Sequence, residues 1–318
     1  MKIIDLPEGT QIIENGWVIT EPTLIQGRGP ATVLEQRCSD LFRIDYGSQF
    51  PVVIRDLVVN AHDPRCDFSI IADGVKEQNR HSLRMLDLSG ITIHGAAGTR
   101  LSYIYNSRIA NCVFNGCFIG VSIEGISTNL NITDCQFTGV HTAVGVVGYN
   151  EGLVVSGCFM VDVVHGIRLY GYPDELRSSM AVAQGCHIDA RGEVSSAIFA
   201  VNQDGLLVTG CYLIAGGPVI DLEQTFQSCI TGSQLFMAGG LGVQLSTMQH
   251  GCNAVSIVGN TFHGPGTCVD MDENTWNCRV SGNTRAHRES SHPYRPVAAA
   301  TPVTVDCRSK GQGNVIEI

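Results

Sequence analysis

Two short segments carry acids at alternating positions. V-I-D-L-E from Val219 sets Asp221 and Glu223 two residues apart, and C-V-D-M-D from Cys268 does the same with Asp270 and Asp272. Side chains at i and i+2 share one face of a strand. Carboxyl groups facing each other across a small gap suit acid–base chemistry. One, held protonated, gives its proton to a leaving oxygen, while the other activates water or attacks directly. Crowded like charges favour this division, because repulsion raises at least one pKa. G-V-Q-L-S from Gly242 adds Gln244 and Ser246 between the acids, and G-I-R-L-Y from Gly166 adds Arg168 and Tyr170 beyond them. Arginine pairs with carboxylated ligands, and tyrosine offers an apolar ring with a hydroxyl.

These segments belong to one recurring unit. N-C-V-F-N-G, D-C-Q-F-T-G, G-C-F-M-V-D, G-C-H-I-D-A and G-C-Y-L-I-A surround Cys112, Cys135, Cys158, Cys186 and Cys211, at steps of 23 to 28 residues. Ser233, Asn260 and Asn283 then take the cysteine position. Such a period marks a chain stacked from one supersecondary unit. Period-2 alternation on both sides of each cysteine predicts strands, and the intervening glycines and asparagines predict turns. Strands of successive coils must pair in parallel, about 4.8 Å apart. The expected fold is all-β: a right-handed parallel β-helix, a single-stranded solenoid of roughly ten rungs. The cysteines are expected as a buried column of small soft side chains, because no C-x-x-C or C-x-x-H spacing suits a metal.

Aligning the coils yields two outward columns. Ser122, Gly145, Arg168, Phe199, Asp221, Gln244 and Asp270 form the first. Glu124, Val147, Tyr170, Val201, Glu223, Ser246 and Asp272 form the second. Asp221 and Asp270 then stand two rungs, about 9 to 10 Å, apart. Glycoside hydrolysis with inversion uses carboxyl groups roughly 6.5 to 9.5 Å apart. The plainer alternative is a solvated acidic face that discourages lateral strand pairing.

The 318 residues include 13 Cys and 36 Gly and carry a formal net charge of −10. That charge disfavours a nucleic-acid partner. No apolar run reaches the ~18 residues that suggest a spanning helix, so membrane insertion is not expected. An odd number of cysteines fits assembly in a reducing cytoplasm better than an oxidising compartment. No cofactor-binding loop and no metal-ligand cluster is expected, and His62, His81, His94, His287 and His292 read as surface or turn residues. Residues 1–34 read as an N-terminal cap with the first rungs and 35–284 as the helix body, with a charged excursion at 61–82. Residues 285–318 read as a linker and short C-terminal capping element.

The opening I-I-D-L-P-E-G-T, followed by Gly27, Gly29, Thr32, Val33 and Leu34 in a G-x-G-x-x-T-V-L rung, resembles the first turns of pectate-lyase-like β-helices, phage tailspikes above all. The resemblance implies a homotrimeric virion or prophage spike that binds bacterial surface polysaccharide, which such spikes often cleave; together with the acidic columns it makes an endo-glycosidase the leading expectation. The chain departs from the family in that no separate particle-binding domain precedes the helix, so the expectation is a naturally short spike or attachment through another virion protein. The catalytic residues expected are Asp221, Asp270, Glu223 and Asp272, with Arg168, Tyr170, Gln244 and Ser246 binding substrate. The fixed motifs of polygalacturonases, pectate lyases and alginate epimerases are not matched; Asp63, Pro64 and Arg65 lack the histidine of the D-P-H motif. A non-catalytic spike or adhesin and a polysaccharide lyase therefore stand as alternatives.

Overall fold

The computed structural model describes residues 1–46, 50–74, 85–95, 97–171, 178–246, 251–286, 300–308 and 313–317. Among them the chain consists of short strands and turns, with no helix. Two compact units form, Met1–Val161 and Asp162–Ile318. Each is built as a right-handed parallel β-helix, and about 11 turns are made in all.

In the first unit the strands Trp17–Ile19, Asp40–Tyr46, Phe68–Gly74, Ala97–Ser102, Ile119–Glu124 and Thr142–Val147 pair in parallel, one per turn. The opposing sheet holds, among others, Val113–Asn115 and Gln136–Thr138, also parallel. Between the sheets Phe114 lies on Phe137 with centroids 4.9 Å apart and planes 7° apart. Gly120 explains the small residue that opens the second strand. A Cβ there would meet the Phe137 ring at 2.6 Å, so only glycine leaves room for the stacked aromatics.

The second unit repeats this plan. His165–Tyr170, Ser196–Val201, Ile220–Glu223, Leu241–Ser246, Thr267–Met271 and Val305–Cys307 run in parallel register. Ile198, Ala200, Ile220, Leu222, Val243, Leu245, Val269 and Met271 are buried on their inner face. Alternation thus sends Phe199, Asp221, Gln244 and Asp270 outward.

The cysteine column is interior, as its chemistry predicts. Cys112, Cys135 and Cys158 in the first unit, and Cys186 and Cys211 in the second, are buried and free. Each thiol donates to the carbonyl two residues before it, those of Ala110, Thr133, Ser156, Gln184 and Thr209. The residue before each cysteine must turn the chain with positive φ: Asn111 (53°), Asp134 (53°), Gly157 (62°), Gly185 (60°) and Gly210 (62°). Asn, Asp and Gly are the residue types that tolerate this conformation, which accounts for the recurring N-C, D-C and G-C pairs. Where asparagine replaces cysteine, its Nδ2 likewise donates to a backbone carbonyl, from Asn260 to Ile230 at 2.9 Å and from Asn283 to Ile257 at 2.8 Å, and its oxygen adds an acceptor. Asn260 Oδ1 accepts from the Ser233 amide at 3.0 Å, and Asn283 Oδ1 accepts from the Asn260 amide at 2.9 Å.

Two expectations change. Of the excursion at 61–82, Phe68–Gly74 is a regular strand paired with Asp40–Tyr46. Its Ile70 and Ala72 fill the core, Ile71 is buried on the outer face between Arg43 and Arg100, and the Ser69 hydroxyl donates to Gln36 Oε1 at 3.0 Å. The charged flanks of that strand masked its apolar centre. Positions 75–82, His81 among them, lie outside the described residues. The C-terminal segment continues the coil rather than only closing it. Val305–Cys307 pairs with Val269–Met271, and Val315–Glu317 with Arg279–Ser281. The linker positions 287–299, with His287 and His292, also lie outside the described residues.

Candidate functional site

The outer face of the second unit carries one continuous column. Register pairs Arg168 with Phe199, Phe199 with Asp221, Asp221 with Gln244, Gln244 with Asp270, and Asp270 with Asp306. Arg168 lays its guanidinium over the Phe199 ring, 5.4 Å from the centroid. The Phe199 ring therefore stands in register between the cation and Asp221.

Asp221 is the distinctive group. Its Oδ1 is shielded from solvent and has no hydrogen-bond partner. Burial, and secondarily the charge of Glu223, pushes its pKa up to about 7. A carboxyl lacking compensating donors in a poorly solvated place is held in its neutral form. Glu223, two residues on, is also raised by burial. It pairs in register with Val201 on one side and Ser246 on the other, and Tyr170 pairs with Val201.

The other two acids are engaged differently. Asp270 receives Arg308 Nη2 on both oxygens, at 2.9 and 3.0 Å. Asp272 does not extend the second column, because its strand ends at Met271. Its Oδ1 instead accepts from the Asn274 amide and the Thr275 hydroxyl, each at 3.0 Å, and the side chain is buried in the turn. Alternation projected past a strand end pointed Asp272 outward; the turn draws it in. Arg308 escaped sequence reasoning altogether. It follows Val305–Cys307, and only the pairing of that late strand brings it to Asp270.

The structure thus brings Arg168, Asp221, Gln244 and Asp270 together as one column, with Glu223 and Ser246 beside them. By strand spacing, Asp221 and Asp270 are about 9 to 10 Å apart. Such an arrangement offers a proton donor, an amide that both donates and accepts, and a carboxylate oriented by a guanidinium. Among the described residues, no group of three or more His, Cys, Asp or Glu side chains is placed to hold a metal ion. No helix of the described residues is long and apolar enough to cross a membrane.

No protein-family profile matches the chain, and no curated protein matches it. Solved structures do. Tailspike protein 3 of bacteriophage CBA120 superposes with a TM-score of 0.67 at 15% identity, over 100% of this chain and 56% of that one. The catalytic unit of a thermostable GH87 α-1,3-glucanase from Streptomyces thermodiastaticus gives 0.68 at 14% identity, over 98% of this chain and 62% of that one. The A-module of the Azotobacter vinelandii mannuronan C-5 epimerase AlgE6 gives 0.62 at 13% identity, over 99% and 91%. The chain spans little more than half the length of the tailspike and the glucanase unit that it matches. At these identities the likeness is one of fold: this chain has the parallel β-helix that phage tailspikes share with polysaccharide-active enzymes.

Proposed function

We propose that the chain is a tailspike-like protein that binds bacterial surface polysaccharide and hydrolyses it on the outer face of its second unit. The observation that carries this reading is Asp221. It is a carboxyl with an unpartnered, shielded oxygen and a pKa of about 7, flanked in register by Phe199 and Gln244. A general acid works best with a pKa near the operating pH. In this reading Asp221 protonates the glycosidic oxygen, and Asp270, oriented by Arg308, activates water from the other side of the bond. Glu223 tunes Asp221 through its charge. Gln244 and Ser246 bond sugar hydroxyls, and Arg168 and Tyr170 hold the next sugar. Asp272 supports the turn that carries Asp270. The separation of about 9 to 10 Å lies near the inverting range. The resemblance to tailspikes supports a virion location and a homotrimer as parts of the same proposal.

Incubation with capsular or lipopolysaccharide preparations should release oligosaccharides with inverted anomeric configuration, visible by proton NMR. Asp221→Asn should lower the rate at least 100-fold, in keeping with the contribution of a general acid. Full cleavage by Asp221→Asn would refute the assignment.

A second reading, a non-catalytic adhesin, is favoured by one observation: Asp270 and Asp272 are already engaged by Arg308 and the Asn274–Thr275 turn. Binding of a surface glycan without any product from the unsubstituted protein would select it.

A further inference from the structure

A concave surface lies in the first unit, lined by none of the carboxylates above. It is a groove of about 690 Å³ whose lining includes Asp40, Arg43, Asp67, Arg100 and Phe118. These side chains come from successive turns. Arg43 is in register with Ile71, and Ile71 with Arg100. Phe118 precedes the next strand, Ile119–Glu124. The groove therefore crosses four turns, or roughly 14 Å by strand spacing.

Its polar groups are fixed before any ligand arrives. Asp73 lies 3.9 Å from Arg43 and 3.5 Å from Arg100, and Asp40 lies 3.5 Å from Arg43. Arg100 also stacks over the Phe68 ring, 5.3 Å from its centroid. The Ser39 hydroxyl bridges Asp67 at 2.8 Å and Asp40 at 3.1 Å. Phe118 is 64% exposed, a large apolar ring left in water. One of its faces rests on the His141 ring, with centroids 4.8 Å apart and planes 22° apart, so its orientation is set. Cys66 also lines the groove, but burial pushes its thiol up to about 11, which leaves it protonated and a poor nucleophile. The chemistry available is recognition rather than catalysis.

The ligand class follows from the charges. Two arginines in the groove face two aspartates, and Asp73 adds a third acid behind them. A carboxylated or phosphorylated ligand meets no net positive field. A ligand bearing paired hydroxyls meets a donor and an acceptor side by side, which suits groups that both give and accept hydrogen bonds. A preset aromatic ring beside such groups fits the apolar C–H face of a pyranose. We infer that this groove is a separate binding site for an uncharged saccharide segment, with Phe118 as its stacking platform and Arg43, Arg100, Asp40 and Asp67 bonding its hydroxyls. The choice of a glycan as ligand rests on the function proposed above, whereas the site and its preference for neutral sugars rest on the groove.

A bacterial glycan array printed with neutral and uronate-containing polysaccharides tests this. It uses the full chain carrying Asp221→Asn together with Arg168→Ala and Gln244→Ala, so that the column of the second unit neither consumes nor holds the printed glycans. Signal is expected on neutral glycans, to fall at least tenfold when Phe118→Ala is added and to return with Phe118→Trp. Thermal melting of each variant checks folding, which an exposed ring should scarcely affect. No signal on any neutral glycan, a signal that survives Phe118→Ala, or a preference for uronates would overturn the inference. Product release by the unsubstituted protein reports separately on the hydrolytic reading, so the two can fail independently.

Discussion

At the scale of single residues, Asp221 concentrates the argument. Its carboxyl titrates near 7 in the folded chain and near 3.8 when the chain is open. A raised folded-state value means that the folded state holds the proton more tightly. The associated stability is complete below about pH 4 and is lost as pH rises through about 7. Burial of the ionised form then works against folding by up to a few kcal/mol. Denaturant melts across pH 4 to 8 should show this loss, and Asp221→Asn should flatten it; an unchanged slope would mean that Asp221 is well solvated. The same titration predicts that cleavage declines above about pH 7, as the acid loses its proton. Arg308→Ala removes both hydrogen bonds to Asp270. It should reduce turnover tenfold or more while leaving the melting midpoint within a few degrees, since that pair is partly exposed.

At the scale of elements, two positions in the coil are special. One opens an outer-face strand, and it is glycine at Gly120, Gly166 and Gly242 but Ala143 and Ala197 in the turns that follow the first two. At Gly242 an added Cβ would meet the Cys268 carbonyl oxygen of the next turn and, at 2.7 Å, the Phe262 ring, so Gly242→Ala should destabilise by about 1–3 kcal/mol through overpacking. The other is the left-handed turn before the interior column. Gly210 has φ of 62° and open space around its missing Cβ, so conformation alone decides its replacement. Gly210→Asn should be nearly neutral, whereas Gly210→Val should cost about 1–3 kcal/mol, both read from chemical denaturation. Loss of stability in the asparagine variant would show that the turn needs more than a tolerated φ.

At the scale of the whole molecule, the proposed homotrimer is the claim most open to a direct measurement. Light scattering at micromolar concentration should return three times the 34.1 kDa chain mass. A monodisperse monomer would remove the trimer from the proposal and leave the site in the second unit standing, because every side chain assigned to it comes from one chain.

The recurring [N/D/G]-C phrases and the alternation beside them were enough to establish the solenoid, its interior thiols and the outward column from Arg168 to Asp270. These features are local and periodic, and a repeat states its own geometry each time it recurs. Phe68–Gly74 was obscured because charged neighbours diluted its alternation, and Asp272 was misplaced because periodicity does not say where a strand stops. Only the tertiary structure could join Arg308 to Asp270, leave one Asp221 oxygen shielded and unpartnered, and gather Arg43, Arg100 and Phe118 into a groove. Those properties depend on which turns become neighbours and how much water they exclude, and spacing along the chain carries neither.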